Sequence, residues 1–190
     1  MRKPQCIAIA GIPTSGKTTF GRALSAATGI RFIDSNEFAK FAPLADPATF
    51  QTDEGREKEK ARMRIIYTLT HAVAGAYLEG GDSLIIAATY SKEASQQRLA
   101  AAVERAGGRL KVLHCQYDTA DEEEVARRLA DRATRNDLVA GEIAITPDYL
   151  REQVGRTAGI QLPHLVVRME GGEEGTQAAV KAALKYINEE

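Results

Sequence analysis

The sequence holds no tryptophan, only two cysteines and 6% aromatic residues, and neither sign of charge dominates it. Each scarcity removes a class of function. Cys6 and Cys115 lie far apart without metal-ligand spacing, which argues against a disulfide framework or a zinc site and makes a reducing cytoplasm the expected setting. Both are expected in strands, as small buried hydrophobes. The 25 basic residues are balanced by 26 acidic ones, so no surplus of positive charge marks a nucleic-acid or anionic-membrane surface. A local basic groove stays open, and nucleic acid is the less favoured partner because few aromatics are available for base stacking. No apolar run approaches the ~18 residues of a membrane helix. The basic start Met1-Arg2-Lys3 followed by the apolar run from Cys6 to Ile12 resembles a secretion signal only superficially, because it leads straight into Gly16 and Lys17. It reads as a first strand. His71, His114 and His164 are too scattered for a metal site and are expected in the core or at sheet edges.

What is present is 44% hydrophobic residues over 190 positions, enough to bury a core in one domain spanning residues 1–190. Apolar runs of strand length fall at Cys6–Ala10, Arg31–Ile33, Leu84–Ala88, Leu110–Gln116 and Leu165–Met169. Segments with helical period separate them, at about Lys17–Ala27, Glu54–Glu79, Lys92–Ala106, Asp121–Asp137, Pro147–Arg156 and Thr176–Ile187. Pro147 suits a first helical position, Thr119 with Glu122 fits a capping box, and Gly29, Gly80 and Gly107 suit helix ends. Alternation of strand and helix throughout predicts an α/β fold: a central parallel sheet of five strands between two layers of helices. The stretch Phe41–Asp53, with Pro43 and Pro47, reads equally as loop or short helix.

The residues Gly11-Ile12-Pro13-Thr14-Ser15-Gly16-Lys17-Thr18 match the pattern of a glycine, four residues, then Gly-Lys-Ser/Thr, and they lie between a predicted strand and a predicted helix. Glycines at 11 and 16 let the backbone turn tightly around an anion, and the following helix adds its positive end. This assigns nucleotide phosphate binding to Gly11, Pro13, Thr14, Ser15, Gly16, Lys17, Thr18 and Thr19, with Lys17 reaching the β- and γ-phosphates and Thr18 ligating Mg²⁺. No Asn-Lys-x-Asp guanine signature follows, and Leu84-Ile85-Ile86 does not end in the Asp-Glu of ATP-driven machines.

Beyond the loop, the chain carries Asp34 after the second strand, the helix end Leu78-Glu79-Gly80-Gly81, the stretch Leu84–Tyr90 followed by Gln97-Arg98, and the spaced arginines Arg127-Arg128-x-x-x-Arg132-x-x-Arg135. In this order the residues resemble P-loop kinases related to nucleoside monophosphate kinases, in particular the ATP-binding group that includes chloramphenicol phosphotransferase and the kinase half of polynucleotide kinase. The resemblance implies transfer of phosphate from Mg-ATP to a hydroxyl acceptor, most simply a small molecule. It implies that Asp34 orients and deprotonates the acceptor and helps Thr18 with the metal. Arg132 and Arg135 would stabilise the migrating phosphoryl group from a lid at about residues 127–145, with Arg128 as a second choice on the nucleotide.

Plainer readings stand beside these. Asp34 also suits a helix N-cap, a role Ser35 can take instead, with Glu37 as a reserve carboxylate. Residues 121–137 carry six acids against four arginines, a pattern equally at home on a solvated helix. Residues 53–64 alternate sign and read first as an exposed, ion-paired face, from which Arg56, Arg62 or Arg64 could turn toward an anionic acceptor. Tyr67 and Tyr77 are expected in the core. The chain departs from the kinase pattern at Ala87-Ala88-Thr89, where many of these enzymes carry Asp-x-Thr. Polynucleotide 5′-hydroxyl kinase activity and ATP binding without catalysis are the competing expectations.

Overall fold

The computed structural model describes residues 3–43, 52–134, 145–156, 159–170 and 172–189. Five strands form one parallel sheet: β1 (Gln5–Ala10), β2 (Arg31–Asp34), β3 (Leu84–Ala87), β4 (Arg109–Gln116) and β5 (His164–Arg168). Their spatial order is β2-β3-β1-β4-β5. The helices are α1 (Lys17–Thr28), α2 (Asp53–Glu79), α3 (Glu93–Arg105), α4 (Glu122–Thr134), α5 (Pro147–Arg156) and α6 (Gly172–Asn188), with a 3-10 helix over Ser35–Phe41.

The central strand explains the layering. Successive side chains of a strand point to opposite faces, so Cys6, Ala8 and Ala10 meet Ala74 and Leu78 of α2 and Leu99 and Val103 of α3. Ile7 and Ile9 instead meet Phe20 and Leu24 of α1 and Ala179, Ala183 and Ile187 of α6. Both faces are sealed, which is why β1 reads as an unbroken apolar run. Burying either isoleucine contributes about 1.5–3 kcal/mol. Both cysteines are buried and unpaired, and burial pushes each thiol up to about 12. Tyr67 and Tyr77 pack against the α2–α3 core. His114 lies in β4 and His164 opens β5.

Differences from expectation fall at helix ends. The side chain of Asp121, not Thr119, caps α4: its Oδ1 accepts from Glu124 N at 3.0 Å, because Asp121 directly precedes the first helical residue. Helix α6 begins four residues before Thr176, in a turn whose Glu173 and Glu174 complement the positive helix end but show no apolar period. Thr52 caps α2, its Oγ1 accepting from Gly55 N at 3.0 Å. The 3-10 helix packs on α2 through Ala39, Ala42 and Ile66, with Phe38 and Met63 beside them. At the other end of the sheet, Lys111 of β4 donates to the carbonyls of Tyr186 and Glu189, and Gln5 of β1 donates to that of Ile187. The last helix is thereby tied to the strands at its negative end. No helix among the described residues is long and apolar enough to cross a membrane.

Candidate functional site

The site forms where β1 stops. Gly11 adopts φ 150°, and a Cβ on it would sit 2.6 Å from both the Cys115 carbonyl oxygen and Ser15 Oγ. Gly16 adopts φ 85° and serves as the N-cap of α1, with Met169 Cε 3.1 Å from where its Cβ would stand. A side chain at Gly11 would fill the loop, and one at Gly16 would press on Met169. Gly11 N donates to Thr89 O at 3.3 Å and Ser15 N to Ile12 O at 3.3 Å, while Lys17 Nζ donates to Ile12 O at 2.7 Å. Ser15 Oγ is buried without a hydrogen-bond partner among the described residues. A cradle that a Cβ would fill, a buried hydroxyl awaiting a partner and the amino end of a helix together fit a bound phosphate.

The loop is braced from outside. Arg128 of α4 donates through Nη1 to Thr14 O at 3.2 Å and through Nη2 to Met169 O, its Nε reaches Glu124 Oε1 at 2.6 Å, and its guanidinium lies 4.4 Å from the centroid of the Tyr117 ring. Thr14 has φ 65°, unusual for a residue with a side chain. Its Oγ1 donates to Pro13 O at 2.6 Å, so the 2.9 Å contact with Tyr117 has the tyrosine hydroxyl as donor.

Asp34 ends β2 one strand beyond β3, with its Cα in register with Ala87. Its two carboxylate oxygens divide their work. Oδ1 accepts from Asn36 N at 3.0 Å and caps the 3-10 helix, while Glu37 Oε1 accepts from Asp34 N at 3.2 Å. Oδ2 accepts from Thr18 Oγ1 at 2.6 Å. Capping and site-facing readings of Asp34 therefore hold together, one per oxygen. Thr18 Oγ1 and Asp34 Oδ2 form a pair of hard oxygens beside the cradle, the donor type that Mg²⁺ takes alongside phosphate oxygens and water. Ala87 supplies no third oxygen: it is fully buried among Ile9, Phe20 and Leu24, and Ala88 and Thr89 face the cleft instead.

These groups line a cleft of about 1070 Å³. Pro13, Thr14, Gly16, Lys17, Thr18 and Thr19 are on its wall, as are Asp34, Arg128 and Arg132. Ser15 lies behind that wall. Arg135 and the rest of the expected lid, residues 135–144, lie outside the described residues. Arg127 also borders the cleft, held by Glu124 at 2.7 Å and Asp131 at 3.0 Å, so part of the charge on this helix is offset internally.

Sequence reasoning missed most of the opposite wall, where Glu59, Arg62 and Met63 of α2 face the cleft. Arg62 is 6% exposed and its Nη1 lies 3.3 Å from Glu59 Oε1, whereas Arg56 pairs with Asp53 and Arg64 is exposed. Burial raises the Glu59 carboxyl above its ordinary range, with Arg62 opposing the rise. A signal was available: the buried stripe Leu78, Ala74, Thr70, Ile66 steps back by four onto Arg62. Tyr117, the loop's external brace, carries no comparable mark in the sequence.

A family model described as an AAA domain matches residues 7–155. No curated protein matches the sequence. Among solved structures, a sugar kinase from Janibacter sp. HTCC2649 superposes with TM-score 0.65 at 18% identity, covering 97% of this chain and 95% of that one. A gluconokinase from Sinorhizobium meliloti 1021 gives TM-score 0.58 at 17% identity over the whole of both chains. Kti12 from Chaetomium thermophilum in complex with ADP-AlF3 gives 0.65 at 18% identity, covering 97% of this chain and all of the other. At such identities the likeness is one of fold.

Proposed function

The chain belongs to this AAA-domain family, and on that premise we propose that it is a P-loop kinase, which transfers the γ-phosphate of Mg-ATP to a hydroxyl group of a small molecule. The observation that carries the proposal is the 2.6 Å contact between Thr18 Oγ1 and Asp34 Oδ2 beside the phosphate cradle. On this reading the metal-ligating hydroxyl and the carboxylate base meet at one point. The loop amides and Lys17 hold the β- and γ-phosphates, and Ser15 Oγ gains a partner there. Thr18 and Asp34 are the residues that would hold magnesium, whose charge offsets that of the phosphates.

Asp34 takes the proton of the acceptor hydroxyl as that oxygen attacks γ-phosphorus; the bond to the β,γ-bridging oxygen breaks and ADP leaves. Arg132 offsets charge on the migrating group from α4, and Arg135 joins it in this assignment through the family resemblance. Arg128 acts on the nucleotide by holding Thr14 in place. A small, hydroxylated acceptor agrees with the sugar kinase and gluconokinase among the structural neighbours.

The test is consumption of Mg-ATP against nucleosides, sugars, amino-alcohols and 5′-hydroxyl oligonucleotides, with Lys17→Ala as the blank. Asp34→Asn is expected to lower kcat by roughly 10²–10⁴-fold; full activity in that variant would remove Asp34 from its role. Salt-sensitive transfer to oligonucleotide alone would make the acceptor a nucleic acid. One observation favours a second reading, ATP binding without transfer: the buried methyl of Ala87 stands where many of these kinases carry a carboxylate. Tight binding of ATP with no transfer across the panel supports that reading.

A further inference from the structure

We propose that Glu59, oriented by Arg62, selects a polyhydroxylated acceptor by accepting a hydrogen bond from a hydroxyl other than the one phosphorylated. The inference rests on the kinase reading and names the acceptor's class. Three observations lead to it.

The first is placement. Glu59 borders the same cleft as Asp34, but from α2 rather than from the strand ends. A ligand between the two walls can therefore present one hydroxyl to Asp34 and another to Glu59.

The second is an unmet valence. Glu59 Oε1 faces Arg62, while Oε2 is buried and receives no hydrogen bond from any described residue. Buried polar atoms are nearly always satisfied, so an exception beside a cleft calls for an explanation, and a ligand hydroxyl supplies one. The other ion pairs of this helix behave differently: in Asp53–Arg56, Glu54–Lys58 and Glu57–Lys60 every side chain is at least 49% exposed. Only Glu59–Arg62, among the pairs described on α2, is turned inward, with side chains 21% and 7% exposed. A pair buried in this way gains little for stability over apolar residues of the same volume, so a ligand-binding role accounts for it better than a structural one.

The third is charge. Arg62 offsets the carboxylate, so the pair as a whole holds no net attraction for a cationic acceptor. An anionic group would meet the unpartnered carboxylate oxygen and be repelled. A hydroxyl donor fits: Oε2 offers lone pairs only, and a neutral O–H brings a proton without bringing charge. Sugars and sugar-like polyols supply such donors at fixed distances from the reacting hydroxyl.

The experiment compares wild type with Glu59→Gln and Glu59→Asp on glucose, ribose, glycerol, matched deoxy-sugars and ethanolamine. Steady-state phosphorylation is read with Mg-ATP, and binding of the same compounds is read by calorimetry with a non-hydrolysable ATP analogue. In Glu59→Gln, KM for the preferred polyol is expected to rise roughly 10–100-fold, with the loss falling on KM rather than kcat, and to shrink to nothing for the deoxy compound lacking the recognised hydroxyl. Glu59→Asp gives an intermediate loss and serves as the test if the glutamine variant does not fold. An equal loss for polyol and deoxy compound, unchanged KM throughout, or wild-type preference for ethanolamine overturns the proposal. Failure of the kinase reading appears separately, as absence of transfer by wild type. In that case polyol binding that depends on Glu59 still upholds the assignment, and absence of polyol binding overturns it.

Discussion

The two walls of the cleft are built in opposite ways. The phosphate loop is made of backbone held from outside: Gly11 is tied to Thr89, Thr14 is braced by Tyr117, and Arg128 grips the carbonyls of Thr14 and Met169. Apart from Lys17, Ser15 and Thr18, the groups it turns toward a ligand are amides, which any sequence with the right dihedral angles can offer. The α2 wall is made of side chains, Glu59 and Arg62, over a thin apolar support of Ala39, Ala42 and Ile66. A rigid backbone cradle suits a phosphate chain shared by many enzymes, and a side-chain wall suits the part of the reaction that differs between them.

The contrast breaks most sharply at Gly11. Gly11→Ala places a methyl 2.6 Å from a main-chain carbonyl that cannot move aside, so ATP affinity measured by calorimetry is expected to fall by at least about 100-fold. A variant that binds ATP normally would show the cradle to be more pliant than its contacts imply.

The next effect lies behind the α2 wall. His71 stacks on Tyr90, and its Nε2 is buried without a partner among the described residues. Burial, aided by the charge of Arg98, pulls the imidazole down from 6.5 to about 4. Its folded pKa is thus below the unfolded one. As pH drops below about 6.5 the unfolded chain takes up the proton first, and stability falls until about pH 4. The loss is about 2–3 kcal/mol after allowing for the partly exposed ring. Urea titrations between pH 4 and 7 measure it, and His71→Phe is expected to flatten the profile.

Smaller effects fall on the loop's braces. Arg128→Met removes the grip on Thr14 and Met169 and is expected to raise KM for ATP about 10-fold, provided the helix stays in place through its apolar stem. An equal loss in kcat alone would place Arg128 on the transition state instead. Tyr117→Phe deletes one hydrogen bond to Thr14 and should cost about 1 kcal/mol in thermal unfolding, with a change in ATP affinity too small to separate from that loss.

The same contrast explains what could be read from the chain. The order of elements and the loop were legible because each depends on local pattern: Cys6–Ala10 is apolar on both faces, and Gly11 and Gly16 sit at backbone positions with positive φ, where an added Cβ would meet its neighbours closely. Asp34 was legible as a strand-end carboxylate, with its simultaneous capping role open as an alternative. Glu59 was not, because alternating charge over residues 53–64 looks the same whether or not one pair turns inward; the stripe from Leu78 back to Ile66 points to Arg62 but not to the acid that pairs with it. Tyr117 was missed for a related reason: its partner Thr14 is 103 residues away. Asp121 took the cap of α4 from Thr119 because a cap is decided by one residue of register, finer than periodicity resolves.

The sheet order has a consequence for synthesis. Strand β1 emerges from the ribosome before the other four, yet both strands that flank it come much later, Cys6 pairing with Leu84 and Gln5 with Arg109. At roughly 5–20 residues per second, the nascent chain carries a mostly apolar strand with two open edges for several seconds before either neighbour exists. A factor that shields such edges during translation has its longest task on this segment, and slowing elongation between β1 and β3 should lower the yield of folded protein more than slowing it after β4.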